Sequence, residues 1–190
     1  SVLEKQMAED TLSILLARKR TLMFIQDMCD QGLECFPSPK LDLHGDLEDL
    51  LLDESVLFVE NYRNLLEKNR LSDQKAGRTL CGPHVTDFSV IYSEKNMSAL
   101  HCSTGEQKAL LIAIILAAAR LKSKDQDTIT LILLDEIIAH LDENRRHILL
   151  NEILNLPLQA WMTGTDASFF KAFKDHMQHF HISDNTLTPY

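Results

Sequence analysis

The chain has 190 residues, of which 45% are hydrophobic and 25% charged, and its formal net charge is −9. That is the composition of an ordinary globular protein of one or two small domains. The acidic balance excludes wholesale electrostatic binding to nucleic acid or an anionic membrane, leaving Arg18-Lys19-Arg20 and Arg145-Arg146 as local basic spots.

In chain order, residues 3 to 28 read as a helix, with Met7, Ile14, Leu15, Leu22, Ile25 and Met28 roughly on one stripe. Gly32, Pro37, Pro39 and Gly45 punctuate the stretch that follows, where a short strand is expected near Leu41 to His44. A second helix is expected from Asp46 to about Arg70, with Leu47, Leu50, Leu51, Leu57, Phe58, Leu65 and Leu66 on its apolar face. Two long amphipathic helices with an irregular link read as an antiparallel arm over residues 1 to 78. After Gly77 the texture changes. Thr79 to Pro83 and Asp87 to Tyr92 read as short strands, and a helix runs from the polar stretch HCSTGEQ to about Lys122. Lys124 to Asp127 read as a polar turn. Thr128 to Leu134 is apolar without alternation, the pattern of a strand covered on both faces. A helix over Asp142 to Leu154, a strand over Ala160 to Thr163, a helix over Asp166 to Met177 and a strand over Phe180 to Ser183 complete an α/β lobe over residues 79 to 190. Alternation of strands and helices implies a sheet with substantial parallel pairing.

Cys29, Cys35, Cys81 and Cys102 form no CxxC pair, and no histidine pair stands at zinc spacing. Scattered thiols in an acidic chain fit a reducing, cytoplasmic setting. The longest apolar run, residues 109 to 119, is far short of the ~20 residues that span a bilayer. SVLEKQMAED has no apolar leader region and no initiator Met, so a fragment of a longer protein is expected.

Two motifs carry candidate chemistry. Ser103, Thr104, Gly105 and Glu106 fit the S-x-x-E capping box in front of an apolar helix. The same helix start has free amides, a positive dipole end, a glycine without Cβ and Lys108 one turn in, so it can also hold a phosphate. Both readings stand at this point. The second motif is LILLDEIIAHLDENRR, residues 131 to 146, where an apolar strand ends in Asp135 and Glu136. A carboxylate at a strand end can hold Mg²⁺ against nucleotide phosphates, and a second can orient and deprotonate water. Asp142 is a good N-cap for the next helix.

The order S-T-G-E-Q-K, helix, apolar strand with D-E, then A-x-L-D is similar to the C-terminal half of an ABC-type ATPase head: signature motif, Walker B strand and D-loop. Within that class it resembles the RecF family, relatives of the SMC-type ATPases. CGPH with Asp87-Phe88, STGEQKALLIA, LLDE, HLDENRR and TGTD all look like that family. The resemblance is dense from Thr79 to Asp184 and weaker in LEKQMAED of the arm. It implies that Ser103, Thr104, Gly105, Glu106, Gln107 and Lys108 reach a nucleotide held by another subunit. It assigns Asp135 to Mg²⁺, Glu136 to the catalytic base, Asp142 to the D-loop, and Thr163, Gly164, Thr165 and Asp166 to the switch segment. ATP and Mg²⁺ would be the cofactors of a full-length, slow ATPase. The implied partners are double-stranded DNA, single-strand gaps, RecR and a second copy joined by ATP, with RecA loading in recombinational repair, replication and the SOS response as the outcome.

The chain departs from the wider ABC pattern in three places. No histidine stands in the switch segment, His140 is larger than the D-loop pattern leads one to expect, and no basic residue follows His84. There is also no G-x-x-x-x-G-K-[ST] in the sequence. The chain alone is therefore expected to hold no cofactor and hydrolyse no ATP. That absence keeps a second reading open, a non-catalytic dimerisation or interaction module of another SMC-type protein. A nuclease built on Asp135, Glu136 and Asp142 is a third, and it gives the capped helix no role.

Overall fold

The structure, a computed structural model, describes residues 1–53, 55–123 and 129–189. Helix α1 (Val2–Asp30) carries two apolar stripes with different neighbours. Ala8, Leu12 and Leu15, spaced by one helical turn, pack against Phe58, Tyr62 and Leu66 of helix α3 (Ser55–Ala76). Glu4 at the start of α1 meets Arg70 late in α3, with Nε and Nη2 donating at 2.6 and 2.7 Å, so the two helices run antiparallel. Further along α1, Leu22, Ile25, Met28 and Cys29 turn instead to Leu41 and Ala117. Between the two long helices lie strand β1 (Pro39–His44) and helix α2 (Asp46–Asp53). Residue 54, between α2 and α3, falls outside the described residues, so the single helix expected over 46 to 70 is two described stretches.

β1 pairs antiparallel with β2 (Asp87–Tyr92), and β2 with the two-residue β3 (Met97–Ser98). A 3-10 turn over Ser93–Lys95 and a left-handed Asn96 (φ 46°) reverse the chain between them, a position Asn tolerates. Helix α4 (Thr104–Ser123) buries Ala109, Leu110, Ile112, Ala113, Leu116, Ala117 and Ala119. It is apolar nearly all round because elements cover it on several sides. Under it, strand β4 (Thr130–Leu134), helix α5 (Glu143–Asn155) and strand β5 (Leu158–Met162) make a βαβ unit with β4 and β5 parallel. Ile132 and Leu134 of β4, Leu149 and Ile153 of α5, and Ile112 and Leu116 of α4 share the main core. Arg120 of α4 ties the layers together, donating to Glu152 of α5 at 2.5 Å and to the Gly32 carbonyl at 2.9 Å.

Several expectations are corrected. Thr79 to Pro83 is no strand: the Leu80 amide goes to Asp73 Oδ1 (2.9 Å), the His84 ring meets the Thr79 carbonyl, and Pro83–Val85 is a 3-10 turn. Side chains take the backbone groups a neighbouring strand would need, and Pro83 has no amide to give. Residues Ala167–His176 form 3-10 turns rather than an α-helix, held down by the burial of Phe170 and Phe173. Parallel pairing is confined, among the described residues, to β4–β5. Among the described residues the apolar strand is covered on one face, and Leu131 and Leu133 on the other are 55% and 69% exposed. The turn expected at Lys124 to Asp127, and Thr128, lie outside the described residues. An unanticipated strand, β7 (Thr186–Pro189), pairs with β6 (Phe180–Ser183) through Asp184 and Asn185, both at positive φ. Two such residues match the twist of a tight hairpin.

The junction between the arm helices and the 79–85 loop rests on Tyr62, whose buried hydroxyl donates to the Cys81 carbonyl at 2.9 Å. Tyr62→Phe leaves that carbonyl without this partner, so it should lower unfolding stability by about 1–3 kcal/mol. A urea titration checks this, and an unchanged midpoint would show that the bond adds nothing.

Candidate functional site

The carboxyl end of the parallel pair is where the candidate acids sit. Asp135 and Glu136 follow β4 directly, and both are exposed. Across the sheet, the Thr163 amide extends the ladder by donating to the Leu134 carbonyl at 3.0 Å. Its hydroxyl then does two things: it donates to Asp135 Oδ1 at 2.5 Å and accepts the Glu136 amide at 3.0 Å. One hydroxyl thus fixes both acids relative to the end of β5. Glu136 itself is left-handed (φ 51°, ψ 11°), a conformation that costs a non-glycine residue roughly 1–2 kcal/mol. Strain held in place by a tertiary bond is characteristic of working sites.

A pocket of about 290 Å³ opens beside the acids, lined by Lys108, Leu111, Ile112, Asp135, Glu136, Ile137, His140 and Leu141. Lys108 comes from α4 and His140 from the 3-10 turn Ile137–His140. His140 belongs to this pocket, which its position in AHLD did not reveal.

The capped helix start is built as its sequence reads. Glu106 Oε2 accepts from the Ser103 amide (2.8 Å) and hydroxyl (2.7 Å), and the Glu106 amide donates back to Ser103 Oγ (3.4 Å). The Gln107 amide reaches the Ser103 carbonyl, and its side chain donates to the Ala99 carbonyl at 2.8 Å. Ser103, Thr104 and Gly105 are exposed, and a Cβ added at Gly105 would meet nothing within 4 Å. Packing within the chain therefore does not require this glycine. The sequence did not flag Lys95, which pairs with Glu106 from the β2–β3 turn. Lys95 first, and then Ser103, hold the Glu106 carboxyl down to about 2. Of the whole stretch only Lys108 lines the pocket of the acids; the N-terminal turn itself does not.

Asp142 stands apart from the acid pair. Its carboxylate accepts the Arg145 amide at 2.8 Å and caps α5. Asn144 and Arg145 reach back to Cys35, through Sγ (3.0 Å) and the carbonyl (2.9 Å). In the stretch after Thr163, Gly164 lies so close to Phe170 that a Cβ would come within 3.2 Å of the ring. Thr165 is exposed, and Asp166 accepts the Ser168 amide at 2.8 Å; the Ser168 hydroxyl first, and then that amide, lower its pKa.

Asp135, Glu136 and Thr163 present oxygen donors only, the kind Mg²⁺ takes when it binds through one or two carboxylates and the phosphates of a ligand. Among the described residues no group of three or more His, Cys, Asp and Glu forms a metal cage of its own. The donor set fits an ion that arrives with phosphate. It also removes the geometric basis for a nuclease centre that includes Asp142.

No family model matches the chain. Curated relatives do. The DNA replication and repair protein RecF of Rhizobium etli (strain CFN 42) is 45% identical over 187 residues, 97% of this chain and 50% of the relative. RecF of Agrobacterium fabrum is 43% identical over 188 residues, 98% of this chain and 50% of the relative. RecF of Brucella abortus (strain 2308) is 44% identical over 189 residues, 98% and 49%. The chain thus spans about half the length of the curated relatives it matches. Solved structures of the recombination mediator protein RecF in the RecFOR pathway match as well. With ATP the TM-score is 0.77, at 18% identity over 100% of this chain and 49% of that one. With ATPrS it is 0.75, at 18% identity over 99% and 49%.

The fold is therefore α/β, the fold of the RecF structures it matches. By sequence the chain is a RecF homologue over nearly its whole length. Among the described residues no helix is long and apolar enough to cross a membrane.

The Glu106 pair gives a pH prediction. A carboxyl held at about 2 contributes stability above its ordinary value of 4.5, and that contribution is lost as pH falls from 4.5 towards 2. In Lys95→Ala the carbon-13 carboxyl titration of Glu106 should move up towards 4.5. A midpoint unmoved near 2 would show that Ser103 alone holds it.

Proposed function

We propose that the chain is the C-terminal portion of a RecF-like, ATP-dependent DNA-binding protein of recombinational repair. The observation that carries this reading is the 42–45% identity to RecF proteins along 97–98% of the chain. The acid pair clamped at the end of a parallel strand supports it. In this reading Asp135 holds Mg²⁺ and Glu136 orients and deprotonates the attacking water. Ser103, Thr104, Gly105, Glu106, Gln107 and Lys108 meet the γ-phosphate of ATP bound to a second copy, through free amides and the positive end of α4. Asp142 lies at the contact between copies, and Thr163, Gly164, Thr165 and Asp166 form the switch segment. The exposed helix start, whose first turn does not line the pocket of its own chain's acids, suits a site completed by a partner.

ATP then acts as a timed link between two copies on duplex DNA, next to single-strand gaps, with RecR as partner and RecA loading as the outcome. Residues 1–78 act as the arm and 79–190 as the ATPase lobe, with the β1–β2 pairing joining the two. The setting is cytoplasmic. The sequence has no phosphate loop, so a polypeptide limited to these residues neither binds ATP tightly nor hydrolyses it.

The test is ATP turnover together with sedimentation of a full-length protein that carries this chain. Glu136→Gln should bind ATP, lose hydrolysis by two or more orders of magnitude and accumulate ATP-dependent dimers, while the 190-residue chain shows no turnover at all. Wild-type turnover in Glu136→Gln, or no gain in dimers, would remove Glu136 as the base.

A further inference from the structure

A groove of about 500 Å³ lies between the middle of α1 and the start of β2, and nothing in the proposed chemistry uses it. Arg18, Thr21, Leu22 and Ile25 recur at helical spacing and form one wall. Leu43 of β1 and Phe88 of β2, partners in the strand register, stand opposite. Leu22, Ile25 and Leu43 are half-buried, and the Phe88 ring is 47% exposed. The walls are therefore apolar, and Arg18, Thr21, His84 and Phe88 keep the groove open to solvent.

The groove also reverses the sign of the chain's charge. Arg18 reaches across it, donating from Nη1 to the Pro83 carbonyl at 2.5 Å. That bond fixes the guanidinium in place, uses one of its N–H donors and leaves the others for a ligand. Arg18 belongs to the exposed run Arg18-Lys19-Arg20, and among the described residues none of the three takes part in an ion pair. The acid among the lining residues, Asp87, turns Oδ1 to the Phe88 amide at 2.8 Å. In a chain of net charge −9, an unpaired basic run beside an apolar groove is a local positive spot.

We propose that this groove is a docking site for an acidic segment of a partner protein, with one bulky apolar side chain of the segment seated against Leu22, Ile25, Leu43 and Phe88 and its carboxylates facing Arg18. Charge complementarity argues for this occupant. A guanidinium already held by Pro83 matches a carboxylate with two parallel donors and loses little freedom in doing so. An arginine next to an exposed ring is the pairing that dominates binding energy at protein interfaces. Size agrees as well. Residues 18 to 25 span about 10 Å of helix, the length of about three extended residues, which suits one anchor with acids beside it. A nucleic acid needs a continuous cationic track for its phosphates, and Asp87 and the acidic surface beyond interrupt one. The inference holds whatever chemistry Glu136 performs.

The probe is a short fluorescein-labelled peptide of aspartate and glutamate around a single phenylalanine. It is titrated by fluorescence anisotropy into a full-length protein that carries this chain. Binding should saturate and should weaken as salt is raised. Replacing the phenylalanine by alanine, or the acids by their amides, should each cost about tenfold or more in affinity. Arg18→Glu should cost as much, whereas Arg63→Glu, the same charge change at an exposed position of α3, should cost nothing. Because Arg18→Glu also breaks the Pro83 bond, Thr21→Trp separates docking from folding. It fills the groove from an exposed position of α1, so it should abolish binding and leave the melting temperature unchanged. No binding of the peptide, or binding that survives both Arg18→Glu and Thr21→Trp, overturns the proposal. So does a single-stranded oligothymidylate that displaces the peptide and is itself lost with Thr21→Trp, which would give the groove to nucleic acid.

Discussion

The arrangement of the candidate site depends on one hydroxyl. Thr163 stands one residue past β5, and its backbone continues the parallel ladder to the carbonyl of Leu134. That register places its Oγ1 between the Asp135 carboxylate and the Glu136 amide, so a single side chain locks a strained Glu136 and aims Asp135. Such a bridge works only if the two strand ends cannot slip. The core beneath resists slippage: Ile132 and Leu134 are packed against Leu116, Leu149 and Ile153, and moving β4 by one residue would break that packing. Gly164 lets Phe170 close up under the next turn, which holds the loop after Thr163 in place. The core therefore sets the strand pairing, and the pairing sets the acids.

The second constraint is separation. α4 supplies both a capped start at Ser103 and, one turn later, Lys108 at the pocket of the acids. The start itself is tethered elsewhere, to Lys95 on the β2–β3 turn and to the Ala99 carbonyl. These contacts fix the helix end as an outward-facing feature and leave Gly105 in open space. A helix start held this way leaves its first turn exposed to solvent, which is what the proposed site shared between two copies requires.

Much of this was legible in the sequence. The capping box at Ser103, the N-cap at Asp142, the acid pair at a strand end and the two long antiparallel helices follow from local spacing, and local spacing is what side-chain hydrogen bonds and helical periodicity obey. What stayed hidden depends on contacts far apart in the chain. TLCGP has strand-like residues, yet Asp73 and Tyr62 of α3 claim its backbone. The stretch after Asp166 has a helical pattern, yet burial of Phe170 and Phe173 draws it into 3-10 turns. Lys95 and Glu106 meet across a turn that no spacing rule connects, and His140 shares a pocket with Lys108 only because α4 packs against β4. The all-apolar run of β4 led to an expectation of cover on both faces, and the described residues supply it on one. The hairpin of β6 and β7 was readable after the fact, from Asp184-Asn185 between two short polar-apolar runs.

The central claim is that the working site is composite, with acids from one copy and the helix start from another. A mixing experiment on full-length proteins tests it most directly. Ser103→Arg blocks the helix start and Glu136→Gln removes the base, so each variant alone should be inactive as an ATPase. In a one-to-one mixture, the heterodimer pairs the intact helix start of the Glu136→Gln copy with the intact acids of the Ser103→Arg copy. The account predicts that the mixture recovers a substantial fraction of wild-type ATP turnover. A mixture as inactive as its two components, under conditions where heterodimers form, would contradict it.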